Sequence, residues 1–339
     1  MAIGTIDQLY KSGAVALSLT EPLRPATGEV IFPPTYAPPV GSDKKSTYDI
    51  SSTRNGKMCA IDSLGSQANR MEMLFLEDEY RTLVPQVTVK AGELEANLLK
   101  MGHRLADAAI RFSDLHDRIT GAFLAFRDKG NAVPLARIGP TSLVFGVWDS
   151  RETNAKIPRI INSVIRAYDV EELTRSAQYF TTFKYQDVGF GDKDKKDASA
   201  VGLADAPSGG THGGVLVHGK IVREAQLNLH SLRQLKGSDD KETDLLRRYI
   251  LGLALLAMLA PRVHDLRQGC LLVPDQRTPA RMEASKFNGG SEESNIRFEE
   301  VQTFAHEAAR KFGAPASLSA TFDAKKARES MKKKLDEQA

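Results

Sequence analysis

Cysteine is scarce in this chain of 339 residues, which contains only Cys59 and Cys270. Neither belongs to a CxxC pair or to a Cys/His cluster, so the sequence predicts neither a disulfide framework nor a zinc site, and we expect a reducing compartment. The seven histidines are scattered and form no HExxH pair. We therefore expect no bound metal and no cofactor.

Long apolar segments are also missing. The longest apolar run, residues 249–261, reads YILGLALLAMLAP and is too short to cross a bilayer. The first residues, MAIGTIDQLYKSG, have neither the charged nor the apolar part of a signal peptide. These features predict a cytoplasmic protein without a membrane partner, and a hydrophobic content of 41% is enough for a sizeable core.

The chain lacks a large excess of either charge, because its 46 Lys and Arg residues nearly balance 43 Asp and Glu residues. A site for a polyanion would therefore depend on the local placement of basic residues. Aromatic residues make up only 7% of the chain and form no evident stacking array. This composition disfavours a generic single-stranded RNA-binding module that holds its ligand mainly by base stacking.

Hydrophobic patterns predict strands and helices that interleave without the regular spacing of a doubly wound sheet, which indicates an α+β fold. Strands are expected at residues 14–19, 57–61, 84–89, 143–148 and 222–229. Helices are expected after Ser66 as N-cap and over residues 94–112, 117–127, 239–259 and 299–312. Residues 157–168 fit a helix and a strand equally well.

Two stretches interrupt this pattern. Residues 20–56 contain Pro22, Pro25, Pro33, Pro34, Pro38 and Pro39, which predict an extended surface insertion. Residues 187–215 are rich in glycine, and their GGTHGG run at 209–214 lacks the lysine and serine of a phosphate-binding loop, so we expect a flexible insertion. We expect residues 1–320 to form one domain with these insertions, followed by a charged tail at 321–339.

Catalytic signatures are weak. Asp62 and Asp149 each follow a predicted strand, where a lone aspartate more often forms a turn than a catalytic acid. Ser66 and Ser150 have no visible base partner, so a catalytic triad has no support.

Basic and amide side chains give a stronger signal. Several cations are spaced along the Ile/Val-rich residues 142–179, which is typical of a track for a nucleic-acid backbone and equally of a solvated face. A helix that begins near Ser66 would aim Gln67, Asn69 and Arg70 at a phosphate, or would simply have a polar first turn. The alternation of Ala225 and Leu227 with polar residues predicts a half-buried strand with a donor-rich outer face.

Five stretches carry a resemblance to a known family. They read SLGSQANRMEMLF (63–75), HRLADAAIRFSD (103–114), SLVFGVWDSR (142–151), RIINSVIRAYDVEELTRSAQY (159–179) and GKIVREAQLNLHSLRQL (219–235), followed by LRRYILGLALLAMLAPRVHDLRQGCLLVP (246–274). In this order they resemble the backbone subunit, the Cas-seven group of the RAMP superfamily, of type I-G (formerly I-U) CRISPR effector complexes.

The resemblance implies an RRM-like (ferredoxin-like) core with finger and thumb insertions, and it favours a strand at residues 159–167 and a thumb at 187–215. It implies a non-catalytic protein whose copies assemble head to tail along one CRISPR RNA and present its bases to target DNA in antiviral defence. The implied partners are the CRISPR RNA, the target DNA strand, further copies of the chain, a large subunit, a Cas-five/Cas-six-like subunit and a helicase-nuclease that is recruited later. The candidate RNA-binding residues are Arg54, Lys57, Gln67, Asn69, Arg70, Arg151, Lys156, Arg159, Arg166, Arg175, Gln178, Lys184 and Arg223.

Two alternatives stay open at this point. One is a metal-dependent, RNA-guided RNase like the type III relatives of this superfamily, with Asp149 or an aspartate in residues 187–205 as its catalytic group. The other is a generic single-stranded RNA-binding protein, which would form no filament.

Overall fold

The computed structural model describes residues 5–38, 40–41, 46–314 and 316–336. Residues 1–4 of the expected domain, Pro39 and residues 42–45 of the proline-rich insertion, and residues 337–339 of the charged tail lie outside the described residues.

The described residues combine strands with helices in comparable amounts, and the α+β class expected from the sequence is confirmed. The strands are β1 (Ala14–Pro25), β2 (Val30–Ile31), β3 (Ile50–Thr53), β4 (Gly56–Asp62), β5 (Val87–Ala91), β6 (Leu94–Asn97), β7 (Val147–Trp148), β8 (Lys156–Ile157), β9 (Ile161–Tyr168), β10 (Val170–Tyr179), β11 (Ala206–Val217), β12 (Ile221–Asn228), β13 (His264–Arg267), β14 (Cys270–Pro274), β15 (Arg281–Lys286), β16 (Ser291–Glu293) and β17 (Leu318–Thr321).

The helices vary widely in length. They are α1 (Ile6–Lys11), α2 (Leu64–Glu72), α3 (Ala108–Arg111), α4 (His116–Lys129), α5 (Val133–Ala136), α6 (Thr141–Phe145), α7 (Lys195–Ala200), α8 (Leu229–Gln234), α9 (Asp240–Leu259), α10 (Phe298–Phe312) and α11 (Ala324–Asp336). Within the described part of the chain, no helix is long and apolar enough to cross a membrane.

An antiparallel sheet in the order β13-β14-β1-β12-β9-β4-β3 forms the centre of the fold, with β15 also pairing with β1 and β16 with β15. One face of this sheet, the covered face, packs on helices: Leu17, Leu227 and Ile161 lie opposite one another on adjacent strands and join the main core. The other face, the open face, displays the intervening side chains. The arrangement is consistent with an RRM-like core that carries insertions.

Helix α9 lies at the centre of the main core and is buried on most sides. A Cβ atom at Gly252 would lie 2.9 Å from Cα of Ala305, so glycine allows α9 and α10 to pack closely. The hydroxyl of Tyr249 donates a hydrogen bond to the carbonyl of Leu83 (2.7 Å), which satisfies the one polar atom that this ring buries.

Several local predictions were wrong. Residues 94–112 form strand β6 and short turns instead of one helix, because Asn97 and Asp107 cap separate turns through their own side chains. The strand expected at 143–148 is α6 followed by the two-residue β7, and the apolar run gave no period because residues 141–147 are all buried. Helix α2 begins one residue after Ser63, whose hydroxyl accepts from the Ser66 amide, so Ser63 and not Ser66 is the N-cap.

The two insertions contain more regular structure than the sequence suggested. Strand β1 continues through Pro22 to Pro25, and β2 and β3 also lie within the proline-rich stretch. The GGTHGG run is part of β11 and not a flexible loop, because β11 pairs with both β10 and β2. A Cβ atom at Gly213 would lie 2.7 Å from the backbone of Leu173, and one at Gly214 would lie 2.6 Å from Val30, so close strand packing explains these glycines.

Candidate nucleic-acid interface

The pairing register of β1, β12 and β9 determines which side chains lie on each face of the sheet. Pairs such as Thr20–Glu224 and Glu224–Val164 lie on the open face, whereas Arg223 pairs with Glu21 and Ile165 on the covered face. The predicted donor-rich outer face of residues 222–229 is confirmed, since Gln226 is exposed while Ala225 and Leu227 are buried.

A basic cleft lies at one end of the open face. It has a volume of about 600 Å³ and lies between β1, the β11–β12 turn and the segment that leads into β15. We call the basic and aromatic residues in and beside it the open-face cluster, which comprises Arg24, Arg166, Tyr168, Lys220 and Arg281.

Charge in the open-face cluster is only partly neutralised. Arg166 forms an ion pair with Glu224 (2.8 Å), and the Tyr168 hydroxyl donates to the same carboxylate (3.1 Å). The ammonium of Lys220 lies 5.6 Å from the Tyr168 ring centroid and, within the described residues, forms no ion pair. Burial, together with Glu224, raises the pKa of Tyr168, so this phenol stays a hydrogen-bond donor at neutral pH.

The rim of the cleft adds further cations. Arg277 pairs with Asp275 (2.9 Å) and holds the pKa of that carboxyl below its usual range, and Arg281 pairs with Glu283 across an exposed surface (3.3 Å). Such exposed pairs contribute little to stability, so an incoming phosphate can compete for these guanidinium groups.

Arg223 lies elsewhere, in a polar network on the covered face. Its side chain is 2% exposed and donates to Glu21 (2.8 Å), to Ser163 (3.2 Å) and to the carbonyl of Met258 (2.9 Å). Among the described residues its partners are all internal, so Arg223 is not available at the surface.

Gln67 belongs to the same network. Its Nε2 donates to Asp62 (2.6 Å) and its Oε1 accepts from Ser163 (2.8 Å), with only 1% of the residue exposed. Arg70 pairs with Asp62 (3.2 Å), but its side chain is 38% exposed and faces a cleft that Arg262 and His264 also line. Of these candidate residues, Arg70 is therefore the accessible one and Gln67 is internal.

Burial lowers the pKa values of the two basic groups beside Arg70, Arg262 and His264. It lowers the pKa of Arg262 to about 9, with Arg223 adding to the effect, and Arg262 donates to the carbonyl of Ala257 near the end of α9. Burial, with Arg223 again contributing, lowers the pKa of His264 to about 4. His264 is therefore a neutral imidazole at physiological pH.

Asn69 and Arg159 lie near a second internal cation. Asn69 accepts from Arg104 (3.3 Å), which also pairs with buried Glu72 (2.7 Å). Arg159 donates through Nε to the carbonyl of Phe145 (3.1 Å), and burial with the nearby Arg104 charge lowers its pKa. Asn69 remains exposed and Arg159 half-buried.

The remaining candidates are on projecting elements. Arg54 is exposed in the β3–β4 turn. Lys57 precedes Met58, whose side chain lies on the open face, so the Lys57 side chain points to the opposite face of the sheet. Arg175, Gln178 and Lys184 are exposed on the long β10–β11 arm, where the Arg175 guanidinium lies 5.9 Å from the Phe32 ring centroid.

Arg151 and Lys156 are on the β7–β8 hairpin, both exposed. The four residues Arg151, Lys156, Arg159 and Arg166 are thus not aligned on one element: two are on this hairpin, Arg159 is in the segment between β8 and β9, and Arg166 is in β9. Arg159 lies two residues before the start of β9, whereas Arg166 lies within the strand near its end.

Sequence reasoning missed Arg24, Lys220 and Arg281. A usable signal was present, because extending the predicted alternation of β12 backwards places Lys220 on the outer face and Arg223 on the inner one. For Arg24 and Arg281 the proline-rich and loop-like surroundings concealed the strands that carry them.

Two of the aspartates considered for catalysis, Asp149 and Asp62, are engaged in structural contacts. The Asp149 carboxylate is buried and accepts from both the amide (2.8 Å) and the hydroxyl (2.6 Å) of Thr153. Asp62 is likewise buried between Gln67 and Arg70. Groups of three or more potential metal ligands do not occur among the described residues.

Comparison with known proteins agrees with the resemblance seen in the sequence. Residues 17–172 match the model of a family described as CRISPR-associated protein GSU0053 (Cas_GSU0053), a segment that runs from β1 into β10. No curated protein matches the chain. This match, over just under half of the chain, indicates a CRISPR-associated protein of the Cas7-like GSU0053 group, the group of type I-U, now I-G.

Proposed function

We propose that this protein is a non-catalytic backbone subunit of a type I CRISPR surveillance complex that binds the guide RNA through its phosphates and riboses. The observation that carries this proposal is the open-face cluster, where four cations and the Tyr168 hydroxyl occupy the uncovered face of an RRM-like sheet. Contacts to phosphate and 2′-hydroxyl groups hold RNA without reading its sequence, which leaves the guide bases free to pair with a target strand.

Near-neutral net charge fits this mode of binding. A few cations per copy are enough if several copies repeat along one RNA, because each bound copy raises the effective concentration for the next. Head-to-tail contacts between copies do not close on themselves, so a helical filament along the RNA follows. We include in the proposed RNA surface the open-face cluster together with Arg54, Arg70, Arg151, Lys156, Arg175, Gln178 and Lys184, and we leave out the internal Gln67 and Arg223.

The β10–β11 arm is our candidate for the thumb. It includes the 187–215 stretch, and its far end exposes Phe180 and Phe183, which are 68% and 63% exposed. Large exposed apolar side chains on a projecting element are typical of a binding surface. The other proposed partners are the target DNA strand, a large subunit, a Cas-five/Cas-six-like subunit and a helicase-nuclease.

The RNase alternative is not favoured by any observation in the structure. Asp149 would have to give up two hydrogen bonds and a buried position to reach a substrate or a metal ion. Cleavage of a matched RNA that requires Mg²⁺ and is abolished by Asp149→Ala would establish that alternative.

Co-purification tests the proposal most directly. The chain is expressed with a CRISPR array and its neighbouring genes, and the RNA that accompanies it is extracted and sequenced. A discrete guide-length RNA carrying several copies of the chain is the expected result. Heterogeneous RNA on a monomer, or no RNA, would contradict the backbone-subunit assignment.

A further inference from the structure

The only tryptophan of the chain, Trp148, is 59% exposed at the β7–β8 hairpin. Directly across the hairpin, Lys156 pairs with it in register and places its ammonium 5.6 Å from the indole centroid. Trp148 is thus an accessible aromatic ring with a cation over one of its faces.

The hairpin that carries Trp148 is anchored in the core. Val147 and Ile157, the other pair of the hairpin, are 8% and 4% exposed and belong to the main core. The loop between the strands is tied by Asp149, whose amide donates to the Ala155 carbonyl (3.0 Å) and whose carboxylate binds Thr153. A ring presented on such a rigid base loses little freedom when a ligand stacks on it.

In the part of the chain that the structure describes, the side chains around Trp148 carry unpaired positive charge, which favours an anionic ligand at this site rather than an apolar surface of another protein. Arg151 and Lys156 are exposed and, within the described residues, form no ion pair. The nearby acids are already engaged, because Asp149 is buried on Thr153 and Glu152 accepts from His116 (2.8 Å) and Thr120 (3.3 Å).

We propose that Trp148 and Lys156 form a stacking site for one unpaired base of the bound RNA. The base stacks on the indole face away from Lys156, and Lys156 with Arg151 neutralises the adjoining phosphates. Stacking of this kind accepts any base, because every base has an aromatic face. The inference rests on the proposed function and specifies one contact within it.

A single tryptophan makes the test direct, because emission excited selectively at tryptophan, and not at the eight tyrosines, reports on Trp148 alone. A short unstructured RNA is titrated at low salt while tryptophan emission and the anisotropy of a labelled copy are followed in parallel. We expect saturable quenching with the same midpoint as the anisotropy change. An abasic oligonucleotide of equal length is expected to bind with little quenching, because it has phosphates and no bases.

Variants separate stacking from charge. Trp148→Ala is expected to weaken binding by about five-fold to a hundred-fold, the effect of removing one stacked base, whereas Trp148→Phe keeps a ring and retains most of the affinity. Lys156→Gln is expected to lower the magnitude of the salt slope by about 0.7.

Three outcomes would overturn the stacking site. RNA binding without any change of emission, and with unchanged affinity in Trp148→Ala, would reject this site while leaving the proposed function intact. A change of emission that follows protein concentration without RNA would assign Trp148 to a contact between copies. Absence of RNA binding by anisotropy would reject both the site and the proposed function.

Discussion

The Nη1 atom of Arg223 lies 2.8 Å from a carboxylate oxygen of Glu21 on the covered face of the central sheet. The next residue of the same strand, Glu224, points to the open face and pairs with Arg166. One step along β12 therefore separates an internal structural cation from the proposed RNA surface, because successive side chains of a strand face opposite sides.

Replacing Arg223 by alanine should destabilise the protein by about 3 kcal/mol, since it leaves the partly buried Glu21 carboxylate without its ion-pair partner and removes one hydrogen-bond donor from Ser163. Urea unfolding of wild type and variant measures the change. The double variant Arg223→Met/Glu21→Gln should recover much of the loss, because no buried charge is then left unpaired. RNA affinity per folded molecule should stay at the wild-type value, and a specific loss of affinity in a fully folded Arg223→Met protein would contradict our placement of this residue.

Replacing Lys220 by glutamine should weaken RNA binding and reduce the magnitude of the slope of log K against log salt by about 0.7, the effect of losing one phosphate contact to single-stranded RNA. The measurement is a binding titration at several salt concentrations. Lys241→Gln is the matched control, because Lys241 is also exposed but lies in the first turn of α9 on the helix-covered side. If the slopes of Lys220→Gln and wild type are equal, the assignment of the open-face cluster to the RNA surface is wrong.

Gly146 joins α6 to β7 with a φ angle of +79°, and an added Cβ atom would lie 2.8 Å from Cγ of Arg159 and 3.1 Å from the Ile157 carbonyl. Gly146→Ala should therefore cost about 2–4 kcal/mol, from backbone strain and from displacement of Arg159. Gly130→Ala is the control, since Gly130 has a φ angle of +69° but open space around it, and it should cost about 1 kcal/mol. Thermal unfolding of both variants measures the two losses of stability. Equal losses at positions 146 and 130 would contradict the crowding that we describe around Gly146.

His264 should make folding stability depend on pH. Burial lowers its pKa from 6.5 to about 4, with Arg223, Arg262 and Arg70 acting in the same direction and Glu21 opposing them. Between pH 6.5 and 4 the unfolded chain thus binds a proton that the folded protein does not, so this contribution to stability is full above pH 6.5 and is lost as the pH falls.

The size of that loss is about 2 kcal/mol between pH 7.5 and 4.5. Urea unfolding of wild type and His264→Gln across this range isolates the contribution, because the carboxylates that also titrate are common to both proteins. The difference between the two curves should grow towards low pH, and parallel curves would show that His264 is not held neutral in the folded state.

Elements with a strong local pattern were predicted well from the sequence. The periodic residues 239–259 form α9 with Asp239 as its N-cap, and residues 222–229 form β12 with alternating burial. The strand favoured at 159–167 by family resemblance is β9. Residues 94–112 and 143–148 were predicted wrongly because side-chain caps and uniform burial, which depend on neighbours far along the chain, override local periodicity there.

The sequence by itself determined the α+β class, the long core helix, the absence of a large charge excess and the family resemblance, because composition, periodicity and motif order are properties of the chain alone. Only the tertiary structure decided which cations are accessible. Strand pairing turned Arg223 inward to Glu21 and brought Arg24, Lys220 and Arg281, which are far apart in sequence, to one cleft on the open face. The physical reason is that burial and charge pairing arise from contacts between strands, which the register of the sheet sets and a one-residue shift reverses.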